Sequence, residues 1–166
     1  LGCDIEQRLA VCQAASALNH RNIAKVPDGG WEGDRFFVAH AVAGGSRLPE
    51  YMHDRVVLPV KEACSFMFQC CSALSAAEKK DILHRDIRPV NMWVLENGTI
   101  KILNFGFPLE PLLTGPYSSA APMTLNRASF LAPEICGGQP MTVQAGIYAL
   151  GVSFYYILTG RYPVMG

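Results

Sequence analysis

Apolar and polar positions follow two rhythms along this chain. From Asp4 to Leu18 the rhythm is helical: Ile5, Leu9, Cys12 and Ser16 share a face, with alanines on several others. Asp4 stands where an N-cap is expected, and the polar run Asn19-His20-Arg21-Asn22 ends the helix. Ile23 to Val26 then reads as a short strand, Pro27 to Gly30 as a turn, and Arg35 to Val42 as a second strand closed by Gly44-Gly45. Together they predict a hairpin with a long loop. After Pro49 the helical rhythm returns. Val60 to Ala77 lacks Gly and Pro and is rich in Ala, Cys, Phe and Met, which predicts a long, largely buried helix. Ile82 opens a short extended segment into His84-Arg85-Asp86. Met92 to Leu95 and Thr99 to Leu103 flank Glu96-Asn97-Gly98, and Asn-Gly between two apolar runs is a strong signal for a tight hairpin. Phe107 to Arg127 carries four prolines and no period, and reads as loop.

From Ile135 to Gly160 there is no charged residue over 26 positions. The first part is turn material, and the apolar remainder is shorter than the roughly 20 residues a bilayer requires. A helix from Val143 to Thr159, buried on all sides, is the expectation.

Composition narrows the picture. The chain has 166 residues, enough for one domain. Fourteen Lys and Arg balance fourteen Asp and Glu, so the net charge is zero. That argues against an electrostatic nucleic-acid binder or a polybasic membrane-surface protein, since both need a clustered positive excess. Half the residues are hydrophobic and 17% are charged, against about 25% in a typical soluble domain. Such a chain is expected to bury more surface than it can bury alone. The six cysteines form no C-x-x-C and no zinc-finger spacing, so they are expected to be free thiols in a reducing, cytoplasmic compartment. No signal peptide is visible, and Leu at position 1 leads us to expect further sequence upstream.

The candidate chemistry lies in His84-Arg-Asp-Ile-Arg-Pro-Val-Asn91. An Asp five residues before an Asn, between a short strand and a hairpin, can aim a carboxylate and a carboxamide into one cleft. The carboxylate accepts a proton from an attacking hydroxyl, and the carboxamide oxygen ligates a divalent metal. Asn104-Phe105-Gly106 ends the next strand and returns to the same place.

These residues closely resemble a eukaryotic-type protein kinase domain of the serine/threonine branch. His84-Arg85-Asp86 with Asn91 is similar to the catalytic loop, Asn104-Phe105-Gly106 to the metal-binding DFG triplet, and Ala132-Pro133-Glu134 to the APE triplet. The resemblance implies an α+β, protein-kinase-like fold: mostly the helical C-lobe, plus the αC helix and the hinge hairpin of the N-lobe. Residues 1–42 would be the remnant of the N-lobe and hinge, and residues 43–166 an incomplete C-lobe. It implies catalytic roles for Asp86, Arg88 and Asn91, with metal ligation by Asn91 and Asn104. The hinge, Ala39, His40, Ala41 and Val42, would hold the adenine, with Ala39 at the gatekeeper position. His84 is expected to pack under Phe105. ATP and Mg2+ are the implied cofactors, and a protein substrate or regulatory protein the implied partner.

Departures from the family pattern are as informative. No glycine-rich loop and no Val-Ala-x-Lys occur, and Val11 stands where the lysine's glutamate partner belongs. Asn104 replaces the metal-binding Asp. Arg127 replaces a Thr that hydrogen-bonds the catalytic Asp, and Gly146 replaces a buried Asp that anchors the catalytic loop. Ser118, Ser119 and Thr124 fall in the activation-loop region. The chain therefore resembles a truncated pseudokinase, with weak or absent ATP and magnesium binding expected. Two alternatives stand beside it: an active kinase whose glycine-rich loop and lysine lie outside this chain, and a non-functional gene fragment.

Overall fold

The computed structural model describes residues 2–33, 35–107 and 127–163. Helix α1 (Gly2–Ser16) is followed by an antiparallel hairpin, β1 (Lys25–Glu32) and β2 (Arg35–Ala41). A second antiparallel sheet has the order β3 (Ser46–Arg47), β4 (Met92–Val94), β5 (Ile100–Ile102). The remaining helices are α2 (Leu48–Tyr51), α3 (Val60–Glu78), α4 (Pro133–Cys136) and α5 (Val143–Thr159), with 3-10 turns at Pro89–Asn91 and Arg127–Phe130. The architecture is α+β, as expected.

Helix α1 starts at Gly2, so Asp4 lies inside its first turn and is not its cap. Its inward positions are Cys12 and Ala15, continued by Leu18, whereas Leu9 and Ser16 are exposed. The predicted stripe was therefore rotated. The cause is the surface it rests on: α1 lies against β1 at Gly29, where an added Cβ would stand 2.7 Å from Cys12 Sγ. At the outer edge Arg8 spans the rings of Trp31 and Phe36, at 5.8 and 5.7 Å from their centroids.

Pro27 to Gly30 form no turn. They belong to β1, and a register shift between Lys25 and Asp28 accommodates the proline, which cannot donate to the ladder. The chain reverses between Glu32 and Arg35, which are paired, with Gly33 at φ +62°. The loop is short, not long. In the second sheet the Asn97-Gly98 turn is as predicted: Gly98 has φ +75°, and Leu95 N–H donates to Thr99 O at 2.9 Å.

Helix α3 buries Ala63, Phe66, Cys70, Ala73 and Ala77, a single face at helical spacing. Phe68 on its opposite side is 76% exposed, so the helix is half buried rather than largely buried. Helix α5 has its predicted bounds, with Thr142 Oγ1 accepting from Ala145 N–H and Gly160 closing the end at φ +68°. It too has an outer face, where Ile147 is 59% exposed. Its lack of charge does not make it buried all round. Between these helices and the β4–β5 hairpin lies the core, including Ile87, Phe105 and Leu150. Gln69 of α3 ties the layers together. Its Oε1 accepts from Asn22 Nδ2 at 2.8 Å and from Ile100 N–H at 2.9 Å.

Candidate active site

The loop between α3 and β4 is held from below by His84. Its Nε2 donates to Leu103 O at 2.6 Å and its Nδ1 accepts the Asp86 N–H at 3.2 Å, so the ring spans two strands of backbone. Its edge meets Phe105, with centroids 4.7 Å apart, as the sequence led us to expect. Burial pulls its pKa down to about 4, so the imidazole is neutral. Arg85 follows in the left-handed region at φ +65°, and Asn104 adopts φ +64°. Two non-glycine residues in this conformation flank the cluster, as is common where backbone strain serves a site.

Asp86 is 8% exposed, and each of its oxygens has two partners. Oδ1 lies 2.9 Å from Arg88 Nε and 3.1 Å from Arg127 Nε. The Arg88 contact is an ion pair rather than an aligned hydrogen bond. Oδ2 accepts from Arg127 Nη2 at 3.2 Å and from Asn91 Nδ2 at 2.9 Å. Asn91 Nδ2 also donates to the Asp86 backbone oxygen at 2.7 Å. Asn91 Oδ1 in turn accepts from Asn104 Nδ2 at 3.1 Å, and Asn104 Oδ1 pairs with His40 Nε2 at 2.8 Å.

The carboxamide orientations follow from this chain. Asp86 only accepts, so Asn91 must donate to it; Asn104 must then donate to Asn91, which leaves its oxygen to accept the His40 Nε2–H. His40 is neutral in this arrangement, since burial lowers its pKa despite the hydrogen bond to Asn104. The relay runs in one direction, from His40 through Asn104 and Asn91 to Asp86, and Arg88 and Arg127 close its far end.

Asp86, Arg88, Asn91 and Asn104 are thus brought together. Ala39 and Ala41 are strand residues facing Asp28 and Lys25 across the hairpin, and Val42 N–H donates to His40 O at 3.2 Å. Those two backbone groups are engaged with each other, while the His40 side chain, unforeseen from the sequence, reaches Asn104. The Arg127 ion pair was also unforeseen. Its signal was available, because a cation at a position that contacts a carboxylate favours pairing with it. Val11 packs toward Gly106, where an added Cβ would meet its Cγ1 at 3.4 Å. Ser118, Ser119 and Thr124 lie outside the described residues, as does most of the predicted Phe107–Arg127 loop.

The family model of the protein kinase domain matches residues 5–166, and the chain belongs to that family. It is 35% identical over 154 residues to the serine/threonine-protein kinase PrkC of Bacillus subtilis, covering 93% of this chain and 24% of that protein. It is 31% identical over 154 residues to the probable serine/threonine-protein kinase PknB of Lactococcus lactis, covering 92% and 24%. With the serine/threonine-protein kinase PknB of Mycolicibacterium smegmatis the identity is 28% over 158 residues, covering 93% and 25%. The chain spans about a quarter of the length of these curated relatives.

Protein kinases use ATP with Mg2+. The expected ligands here are the carboxamides of Asn91 and Asn104. Magnesium favours carboxylate and phosphate oxygens in strict octahedral geometry. Asn91 and Asn104 offer two neutral carboxamide oxygens, each already accepting a hydrogen bond from the protein. Among the described residues no group of three His, Cys, Asp or Glu side chains is arranged to hold a metal ion, and no helix is long and apolar enough to cross a membrane.

Proposed function

We propose that this chain is a serine/threonine-kinase-like domain that has lost phosphoryl transfer and acts by binding a regulatory partner protein. The observation that carries this is the closed relay His40–Asn104–Asn91–Asp86 with its two arginines. A general base needs an open lone pair directed at the incoming hydroxyl, and both Asp86 oxygens are doubly occupied. A metal would have to displace His40 and break the Asn104–Asn91 bond, gaining no carboxylate ligand. Residues 1–42 act here as the N-lobe and hinge portion and residues 43–166 as the C-lobe portion. Ala39, His40, Ala41 and Val42 would remain the adenine edge, with Asp86, Arg88, Asn91 and Asn104 facing the phosphates. Nucleotide binding through such a set is weak, on the order of millimolar or about 4 kcal/mol, with little dependence on magnesium.

Incubation with γ-labelled ATP, Mg2+ and a generic basic protein substrate tests this, with Asp86→Ala as control. The expected result is no transfer above the control, and calorimetry in the same buffer gives the same weak ATP isotherm with and without Mg2+. Asp86-dependent labelling would establish the active-kinase reading in its place, which the adjacency of Asp86 and Asn91 favours.

A further inference from the structure

The turn between β4 and β5 carries chemistry of its own. Of the six asparagines only Asn97 is followed by glycine, whose backbone nitrogen has no side chain beside it. Asn97 is exposed, and a Cβ added at Gly98 would meet nothing within 4 Å, so water and room for a ring are both at hand. Asn97 Oδ1 accepts the Thr99 N–H at 3.0 Å. That donor stands where negative charge grows when the Gly98 nitrogen attacks the carboxamide carbon, as in an oxyanion hole. Two other bonds oppose the attack. Gly98 N–H donates to Leu95 O at 2.9 Å, which engages the attacking nitrogen. Gln69 Nε2 donates to Gly98 O at 3.2 Å while its Oε1 accepts from Ile100 N–H at 2.9 Å, so α3 holds the turn against opening.

We propose that Asn97 is a site of spontaneous deamidation whose rate is set by the grip of Gln69 on the turn. Once Gly98 N–H leaves Leu95 O, the Gly98 nitrogen bonds to Asn97 Cγ and closes a succinimide ring. The Cγ–Nδ2 bond breaks, and Nδ2 departs as ammonia with the proton that the Gly98 nitrogen gave up. Water, the only co-reactant, then opens the ring. Cleavage between the Gly98 nitrogen and Cγ yields aspartate; cleavage at the main-chain carbonyl of residue 97 yields isoaspartate, with the chain running through Cγ. Aspartate keeps the acceptor for Thr99 N–H. Isoaspartate adds a methylene to the main chain between Leu95 and Thr99, which are bonded at 2.9 Å. It therefore disturbs the register of the hairpin that leads from Asn91 to Asn104. This chemistry is independent of phosphoryl transfer and stands whether or not the relay at Asp86 is silent.

The test is prolonged incubation of the 166-residue chain at neutral pH, folded and in guanidinium chloride. Peptide mass mapping reads the gain of one mass unit, and isoaspartyl methyltransferase labelling reads the isoaspartate. Conversion is expected at Asn97 before any other asparagine, and about tenfold slower in the folded chain because the turn must first open locally. Gln69→Glu keeps an oxygen to accept from Asn22 and Ile100 and removes the donor to Gly98. It should deamidate about fivefold faster than the native chain, the change that one net hydrogen bond makes in an opening equilibrium. The proposal is overturned if the folded chain stays unmodified over many half-lives of the unfolded one, if it converts as fast, or if another asparagine leads. An unchanged rate in Gln69→Glu, or a rise no larger than its loss of global stability accounts for, overturns it as well. Should Gln69→Glu fail to fold, the comparison of folded with unfolded chain and the position of the modified residue still decide.

Discussion

Asp86 gathers two guanidiniums and a carboxamide in a pocket where little water reaches them, with Arg88 11% and Arg127 18% exposed. Pairs of this kind are costly to break from one side, because the remaining charge stays behind unpaired. Asp86→Ala removes the carboxylate that both guanidiniums face and is expected to cost about 3–5 kcal/mol in urea unfolding. Arg127→Ala leaves Asp86 with Arg88 and Asn91, and should cost less, about 1–3 kcal/mol. The reverse order would mean that Arg127, not Asp86, organises the cluster. His84 adds a pH dependence. Its folded pKa of about 4 lies below the ordinary 6.5, so between these values the unfolded chain binds more protons than the folded one. The His84 contribution is fully present above pH 6.5 and is lost as the pH falls toward 4, at up to about 1.4 kcal/mol per pH unit. Burial also lowers His20 and His40, so the comparison must isolate the residue. His84→Gln should flatten the slope of stability between pH 6.5 and 4.5, and an unchanged slope would assign it to other groups.

At the level of elements, α1 lies close on β1. Gly29 has the Sγ of Cys12 2.7 Å from where its Cβ would be, and the Phe37 carbonyl oxygen at 3.3 Å. Gly29→Ala should therefore push α1 outward at a cost of about 1–3 kcal/mol. Hydrogen exchange should show lost protection in α1 with α3 and α5 unchanged; equal protection throughout would mean the cysteine rotates away freely. This contact also explains what the sequence revealed of the fold. Helices and the Asn97-Gly98 hairpin rest on local spacing and turn chemistry, and α3, α5 and β4–β5 lay close to where those signals put them. Which face of α1 turns inward depends on Gly29, a residue from another element, and no period within α1 encodes it. Pro27 to Gly30 misled for a related reason: turn-type residues were carried inside a strand by pairing with β2. The site was legible where it is local, in Asp86 and Asn91. His40 and Arg127 reach it from 64 positions before Asn104 and 41 positions after Asp86. Their side-chain directions are set by the assembled fold.

For the molecule as a whole, the low charge noted at the outset has a visible counterpart. Phe68 on α3 and Ile147 and Tyr155 on α5 are exposed, on two helices that pack against each other. Apolar surface of this kind drives association, and a net charge of zero supplies no long-range repulsion to oppose it. The chain is expected to self-associate, its weight-average mass in sedimentation equilibrium rising with concentration. Phe68→Lys combined with Ile147→Lys removes apolar area from both helices and raises the net charge by two, and should hold the protein monomeric with its far-UV circular dichroism intact. Charge alone could produce that effect. The paired control is therefore Gln13→Lys with Gln139→Lys, which adds the same two charges at exposed polar positions without removing apolar area. If the control disperses the protein equally, neutrality and not the helical face is responsible. If the unmodified chain stays monomeric across the concentration range, exposed Phe68 and Ile147 are too isolated to act as an adhesive surface.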